Sequence, residues 1–371
     1  MTQVPSPGSR ADVGHVFIAL DGLRGVAAIS VLLFHYGIHL GWNFLPNASL
    51  AVDFFFALSG FVIAHAYEKR LRAGQSFGDF MRRRIIRLYP LYWVGLTLPL
   101  LLIGLEAAFQ LPHFNRTRTF AAYLFGLLFL PTPSALSPVD DFVFPLNDPA
   151  WSLSLEIGAN ALYAAFAIKL TDRRLTALIL IAAAALVASA LTWHGLDLGN
   201  TWSQYLGGWA RVLWSFFAGI LLYRLYDRRE RRALTPWAGI VLILAILVIF
   251  ALPRSGPAMG LASALVLFPA IIWIGAKVRL TGPASRIASW LGTTSYALYI
   301  THVPLLGLGL LACRLLGIEP ERAFLPSILV GAVGALAVAW LLDGVFDVPV
   351  RRMLQTGLRR PLRAARSDSK P

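Results

Sequence analysis

Two side chains in one apolar stretch carry the first hint of chemistry. Asp21–Tyr36 reads DGLRGVAAISVLLFHY, and within it Arg24 and His35 stand 11 residues apart. On an α-helix that is three turns and a small remainder, so both side chains fall on one face, about 16 Å apart along the axis. An ionisable residue at the centre of a membrane helix costs about 2.5–3.5 kcal/mol on insertion scales. Two on one face are therefore expected to line a buried polar site rather than lipid. His35 titrates near neutrality and can take or give a proton. Its plainer use is a hydrogen bond between packed helices. Arg24 has an i, i+3 partner in Asp21, a pairing that would hold the guanidinium in place.

Four further stretches hold candidates. AVDFFFALSGFVI places Asp53 alone in an apolar run, where it serves a site or caps a helix. Ser59 and Gly60 in the same stretch suit close helix packing. FMRRRIIRLYPLYW sets Arg82, Arg84 and Arg87 ahead of Pro90. Guanidinium forks match phosphate oxygens, so a phosphate-bearing cofactor and an anionic lipid headgroup fit this cluster equally. DPAWSLSLE carries Glu156 into an apolar segment, where it needs a partner or a role such as orienting a histidine. TSYALYITHVP aligns Tyr296, Tyr299 and His302 at i, i+3, i+6. The two tyrosines read most simply as an aromatic packing face.

The elements that must position these residues are membrane helices. The chain has 371 residues, 57% hydrophobic and 14% charged, with a mean hydropathy of +0.65. Soluble domains carry about 25% charged residues. The net charge of +14 is spread over short loops between apolar runs, where it sets topology and does not mark a nucleic-acid surface. Cys313 is the single cysteine, which excludes an internal disulfide and a cysteine-based metal cluster. No phosphate-binding glycine loop, HExxH or GxSxG pattern is present.

The expected fold is all-α, a polytopic transmembrane bundle of about ten spans. Apolar runs fall near 16–40, 50–67, 88–108, 150–168, 175–193, 205–223, 235–252, 258–275, 289–312 and 324–346. Each approaches the roughly 20 residues that a bilayer requires. Basic loops at 68–87, 169–174, 224–232 and 277–286 belong on the cytoplasmic side. Two cytoplasmic loops are separated by an even number of crossings, so the short apolar piece 120–130 is expected to be re-entrant or interfacial. Both termini are then cytoplasmic. Residues 1–14 read as a disordered tail, 15–350 as one membrane domain and 351–371 as a basic tail. In this topology His35, Asp53, Glu156 and His302 lie toward the outer side, and the arginine loop faces the other compartment.

These blocks resemble the acyltransferase 3 family of integral membrane acyltransferases. The resemblance rests on Arg24 and His35 in LDGLRGVAAISVLLFH, then VDFFFALSGFVI, RRRIIRLYP, WSLSLE and SYALYITHVPL, in the family's order across residues 19–350. It implies transfer of an acetyl or other short acyl group from cytoplasmic acyl-CoA to a hydroxyl of a carbohydrate or glycosylated small molecule. It further implies Arg24 and His35 as the essential pair and Glu156 as the acidic position of the WSL block. Arg82, Arg84 and Arg87 would meet the CoA phosphates. His35 is expected to act as general base, with a covalent acyl-histidine as the other route, and Glu156 or His302 to orient it or the acceptor. One departure is Asp347 in FDVPVRR, where similar proteins often carry glutamate. Neither a metal nor a soluble esterase-like domain for a second step is expected. Arginine outnumbers lysine 29 to 4, which is compatible with a GC-rich bacterial genome, and the expected location is the bacterial inner membrane. The competing expectation is a transporter or flippase of a lipid-linked sugar, using the same charges as a substrate path. The lack of a paired repeat in the spans counts against it.

Overall fold

The computed structural model describes residues 17–356 except 43–44, 112–114, 140, 230–231, 255 and 322–323. The expected N-terminal tail, Asp140 and the arginines beyond Thr356 lie outside the described residues. Helices come in the order α1 (Ile18–His39), α2 (Ala51–Arg72), α3 (Phe77–Ala108), α4 (Arg116–Leu127), α5 (Ala150–Phe166), α6 (Asp172–Thr192) and α7 (Tyr205–Asp227). They continue with α8 (Pro236–Ala251), α9 (Pro257–Ala262), α10 (Phe268–Gly275), α11 (Gly282–Leu315), α12 (Phe324–Leu341) and α13 (Val348–Thr356). Short π-helical stretches join α9 to α10 and α12 to α13. No strand occurs among the described residues. The fold is an all-α membrane bundle, as the apolar runs require.

Eight helical segments of the described residues are long and apolar enough to cross a bilayer. The helices α5, of 17 residues, and α8, of 16, are shorter and occupy the places of two further expected spans. Contacts between loops sort the ends of the bundle. At one end Lys69 pairs with Asp227, and Asp172 pairs with both Arg224 and Arg228. At the other, Arg254 pairs with Asp197 and donates to the Pro46 carbonyl, while Asn47 donates to the Leu252 carbonyl. The basic loops at 68–76, 169–174 and 224–229 thus share one end, as an even number of crossings between them demands.

The helix α4 does not cross. Twelve residues rise only about 18 Å, and its C-terminal turn is bound from the side by α3, with the Tyr92 hydroxyl donating to the Gly126 carbonyl at 2.6 Å and Tyr89 to Leu127. The chain reverses at Phe129, whose φ of +57° is left-handed. Its carbonyl accepts a hydrogen bond from Ser154, and Asn147 on the returning limb donates to the carbonyls of Gly95 and Ile300. Irregular backbone at membrane depth survives only where protein satisfies its polar groups. Here side chains from α3 and α5 do so, while Asn147 ties the returning limb to α3 and α11.

Two helix pairs hold the bundle rigid. The helices α1 and α11 approach where Gly22 and Gly25 face Ala288 and Leu291, and a β-carbon on Gly25 would come within 2.4 Å of the Leu291 β-carbon. The helices α2 and α7 approach where Gly60 and Gly219 meet the backbone of Phe216 and Ala57. Small residues let backbones approach where lipid provides no hydrophobic drive for association. Between α2 and α7 lies a buried ion pair, with Arg211 Nη2 2.8 Å from Asp53 Oδ2 and side-chain exposures of 1% and 0%. The same guanidinium donates to the carbonyls of Leu198 and Ser49. Buried charges persist where every donor finds an acceptor, and Asp53 is occupied in this way.

Candidate active site

The close packing of α1 on α11 brings two imidazoles together across 267 residues of sequence, with His302 Nε2 3.1 Å from His35 Nδ1. Their partners fix where the protons sit. His302 Nδ1 faces the carbonyls of Tyr299 at 2.8 Å and Leu298 at 3.2 Å. A carbonyl only accepts, so His302 Nδ1 carries a hydrogen and its Nε2 presents a lone pair. His35 Nδ1 faces that lone pair and the Val31 carbonyl at 2.9 Å, so it too carries the hydrogen. The remaining nitrogen, His35 Nε2, is left as a neutral imidazole acceptor. A ring oriented by a hydrogen bond at one nitrogen and free at the other has the arrangement of a general base.

His35 lines a small polar pocket of about 50 Å³, together with Ser49, Asp148, Trp151, Asp197, Asn200 and Arg211. About 10–15 Å³ of such space holds one water, so the pocket admits a hydroxyl and its carbon but not a whole sugar ring. Asp148, in the loop ahead of α5, has an Oδ1 with no hydrogen-bond partner. Burial pushes its carboxyl up to about 7, against a lowering hydrogen bond from Asn200 and with a smaller raising contribution from Asp197.

A second cavity, of about 220 Å³, opens from the arginine-rich side. Its walls include Arg24, Ser59, Arg84, Arg87, Ser152, Glu156, Ser295 and Tyr296. Arg24 is held by three contacts: Nε donates to Ser295 Oγ at 2.9 Å, Nη2 donates to the Gly292 carbonyl at 2.6 Å, and Asp21 Oδ1 lies 3.0 Å away. Arg84 donates to Glu156 Oε1 at 3.2 Å, and the Ser59 hydroxyl donates to the same oxygen. Arg87 lies over the Tyr296 ring at 5.6 Å, with Nη1 3.6 Å from Asp347. Asp347 is itself 2.7 Å from Arg351. Arg84 Nε and Arg87 Nη1 are buried without hydrogen-bond partners. Three guanidiniums against the one lining carboxylate of Glu156 make this an anion-attracting chamber.

The structure therefore divides the expected site residues into three groups. His35 and His302 meet. Arg24, Arg84, Arg87 and Glu156 line the inner chamber, and Glu156 is committed to Arg84 and Ser59 rather than to His35. Asp53 lines neither cavity and is paired with Arg211, which lines the His35 pocket. Arg82 is exposed on α3 and lines neither cavity. Sequence reasoning missed Arg211, Asp148, Asp197 and the functional side of Ser59. Of these only Asp148 carried a signal, as the acid opening the DPAWSLSLE block.

The model of a family described as an acyltransferase domain matches residues 17–344. The acyltransferase MdmB of Streptomyces mycarofaciens is 28% identical over 389 aligned residues, covering 94% of this chain and 94% of MdmB. Protein 2 of the picA locus of Rhizobium radiobacter is 40% identical over 184 residues, 47% of this chain and 94% of its own length. The peptidoglycan O-acetyltransferase OatA of Listeria monocytogenes is 24% identical over 316 residues, 78% of this chain and 49% of OatA. No solved structure matches the chain.

Proposed function

Because the chain belongs to the acyltransferase 3 family, we propose that it is a membrane O-acyltransferase moving an acetyl or other short acyl group from acyl-CoA to a carbohydrate hydroxyl. The acceptor is a surface polysaccharide, a lipid-linked sugar or a glycosylated small molecule. The observation that carries this reading is the His35–His302 contact, which leaves His35 Nε2 as an acceptor in a pocket of hydroxyl size.

The donor enters from the arginine-rich end, which the excess of positive charge assigns to the cytoplasm. The unpartnered nitrogens of Arg84 and Arg87 suit the phosphate oxygens of CoA, and the chamber above them accommodates its pantetheine arm. Arg24, fixed by Asp21 and Ser295, keeps the chamber positive below the reacting group. From the opposite side the acceptor places one hydroxyl in the His35 pocket. His35 Nε2 removes its proton as the oxygen attacks the thioester carbonyl carbon. The resulting imidazolium is held by His302 Nε2, and its proton then goes to the departing CoA thiolate. A relative named peptidoglycan O-acetyltransferase supports an acetyl group, and the bacterial source of the relatives supports a bacterial cytoplasmic membrane.

The test is incubation of membranes containing the protein with labelled acetyl-CoA and extracted glycans. Label is expected on glycan with the unaltered protein, and its loss by about 10²–10⁴-fold with His35→Ala, the usual contribution of a general base. Near-normal transfer by purified, correctly inserted His35→Ala protein would exclude the role.

A further inference from the structure

Acyl transfer on the reading just given brings a thioester from one cavity to a hydroxyl in the other, so the reacting carbonyl must sit where they meet. Among the described residues only Val52 and Tyr299 line both cavities. Val52 offers no polar atom. Tyr299 is the one side chain able to donate a hydrogen bond at that meeting point.

Its surroundings suit the task. The buried ring is set edge-on against Phe55 at 5.5 Å between centroids. Its hydroxyl lies 2.8 Å from Ser152 Oγ, and Ser152 itself donates to the Pro149 carbonyl at 3.0 Å. The Ser152 hydrogen is therefore spoken for, and the Tyr299 hydrogen points to Ser152 Oγ. The Tyr299 carbonyl in turn accepts from His302 Nδ1. One residue is thus joined by its backbone to the histidine pair and by its hydroxyl to the wall between donor and acceptor. The arginines cannot serve in its place, since Arg24, Arg84 and Arg87 line the inner chamber alone and Arg211 lines only the His35 pocket, its guanidinium given to Asp53, Leu198 and Ser49.

We propose that Tyr299 is a further catalytic residue, whose hydroxyl donates to the thioester carbonyl oxygen as negative charge builds there. The acceptor oxygen bonds to the carbonyl carbon while its proton passes to His35 Nε2. The carbonyl π pair moves onto oxygen and is met by the Tyr299 hydrogen, which exchanges Ser152 Oγ for this stronger acceptor. Re-forming the carbonyl breaks the carbon–sulfur bond, the thiolate takes the proton from His35, and Tyr299 returns to Ser152. A donor aimed at a developing oxyanion typically contributes about 10²–10³-fold to kcat.

The experiment compares purified full-length protein in proteoliposomes with its Tyr299→Phe and His35→Ala forms, using labelled acetyl-CoA and a total glycan extract. Tyr299→Phe keeps the ring and removes only the donor. It is expected to lower kcat about 10²–10³-fold with the KM for acetyl-CoA changed less than twofold. Placing 3-fluorotyrosine at position 299 preserves shape and makes the phenol more acidic, so the alkaline limb of the kcat profile should move to lower pH. A packing role would shift neither. Unchanged kcat in Tyr299→Phe, a raised KM at constant kcat, or an unmoved pH limb overturns the assignment to Tyr299. Absence of transfer by the unaltered protein, or retention of transfer by His35→Ala, would instead overturn the acyl-transfer reading on which it rests.

Discussion

His302 Nε2 accepts from His35 Nδ1 across 3.1 Å, and it is free to do so because its own Nδ1 hydrogen is spent on the carbonyls of α11. His302 therefore stands to His35 as an orienting acceptor, a place more often filled by a carboxylate. A neutral ring stabilises the imidazolium less than an anion would, but it adds no second charge to a membrane interior.

The first prediction follows from that pairing. His302→Phe removes the acceptor and frees His35 to place its hydrogen on either nitrogen. Transfer is expected to fall by about 10²–10⁴-fold, comparable to loss of the tautomer-fixing member of a catalytic triad. His302→Gln retains a carbonyl oxygen and should recover part of the rate. Steady-state transfer from labelled acetyl-CoA by the two variants checks this, and equal activity of Phe and Gln would remove the orienting role.

The inner chamber gives a binding prediction. Arg84→Ala combined with Arg87→Ala deletes two of the three guanidiniums facing the chamber. The apparent KM for acetyl-CoA should rise at least tenfold with a smaller effect on kcat, since ground-state anion binding is what has been lost. Arg82→Ala, on the exposed side of α3, should leave KM near its starting value. Saturation curves for the three arginine positions decide it. If KM is unmoved in the double variant, anionic lipid is the better partner of these side chains.

Asp53 calls for a stability measurement rather than a kinetic one. Its carboxylate is enclosed with Arg211 at 2.8 Å, so Asp53→Ala strands a guanidinium inside the bundle. Breaking such a pair costs about 3–5 kcal/mol. A clear drop in the Tm of the detergent-solubilised protein is expected. The double variant Asp53→Leu with Arg211→Met removes both charges and should regain most of that loss. Failure of the double variant to recover would mean that the Arg211 links to Ser49 and Leu198 matter more than the ion pair.

Acidity enters through Asp148. Burial raises its carboxyl to about 7, above the roughly 3.9 of an unfolded aspartate. Between those values the folded form holds a proton that the unfolded form has released. Its contribution therefore favours folding most at acidic pH, weakens as pH rises from about 4, and is fully lost above about 7. Thermal unfolding of the unaltered protein should show this decline between pH 5 and pH 8. Asp148→Asn, which cannot ionise, should flatten it. An identical slope in both proteins would show that the Asp148 carboxyl does not set the decline.

How much of this was legible beforehand depends on the range of the interaction. The Arg24–Asp21 pair lies within one helical turn, and the one-face relation of Arg24 and His35 follows from helical pitch, so both could be read from spacing. His302 was reachable by depth, since span order and loop charge put it level with His35. The reversal at Phe129 was reachable by parity of crossings, though not its left-handed backbone or the Asn147 ties that stabilise it. Glu156 was directed toward the histidines, and Asp53 was left between a site and a helix cap, because their partners, Arg84 and Arg211, sit on other helices. Helical periodicity places a residue on a face without naming the neighbouring helix. Arg211 itself was hidden in a span whose apolar character drew attention away from a single cation.

The wall shared by Val52 and Tyr299 has a consequence for the bilayer as a barrier. On the proposed acyl-transfer reading, two hollows that meet at these side chains would let a short acyl fragment change sides while its nucleotide carrier stayed where it began. Chemistry would then cross between compartments without the membrane potential being spent, and the carrier would be released into the compartment where it can be recharged.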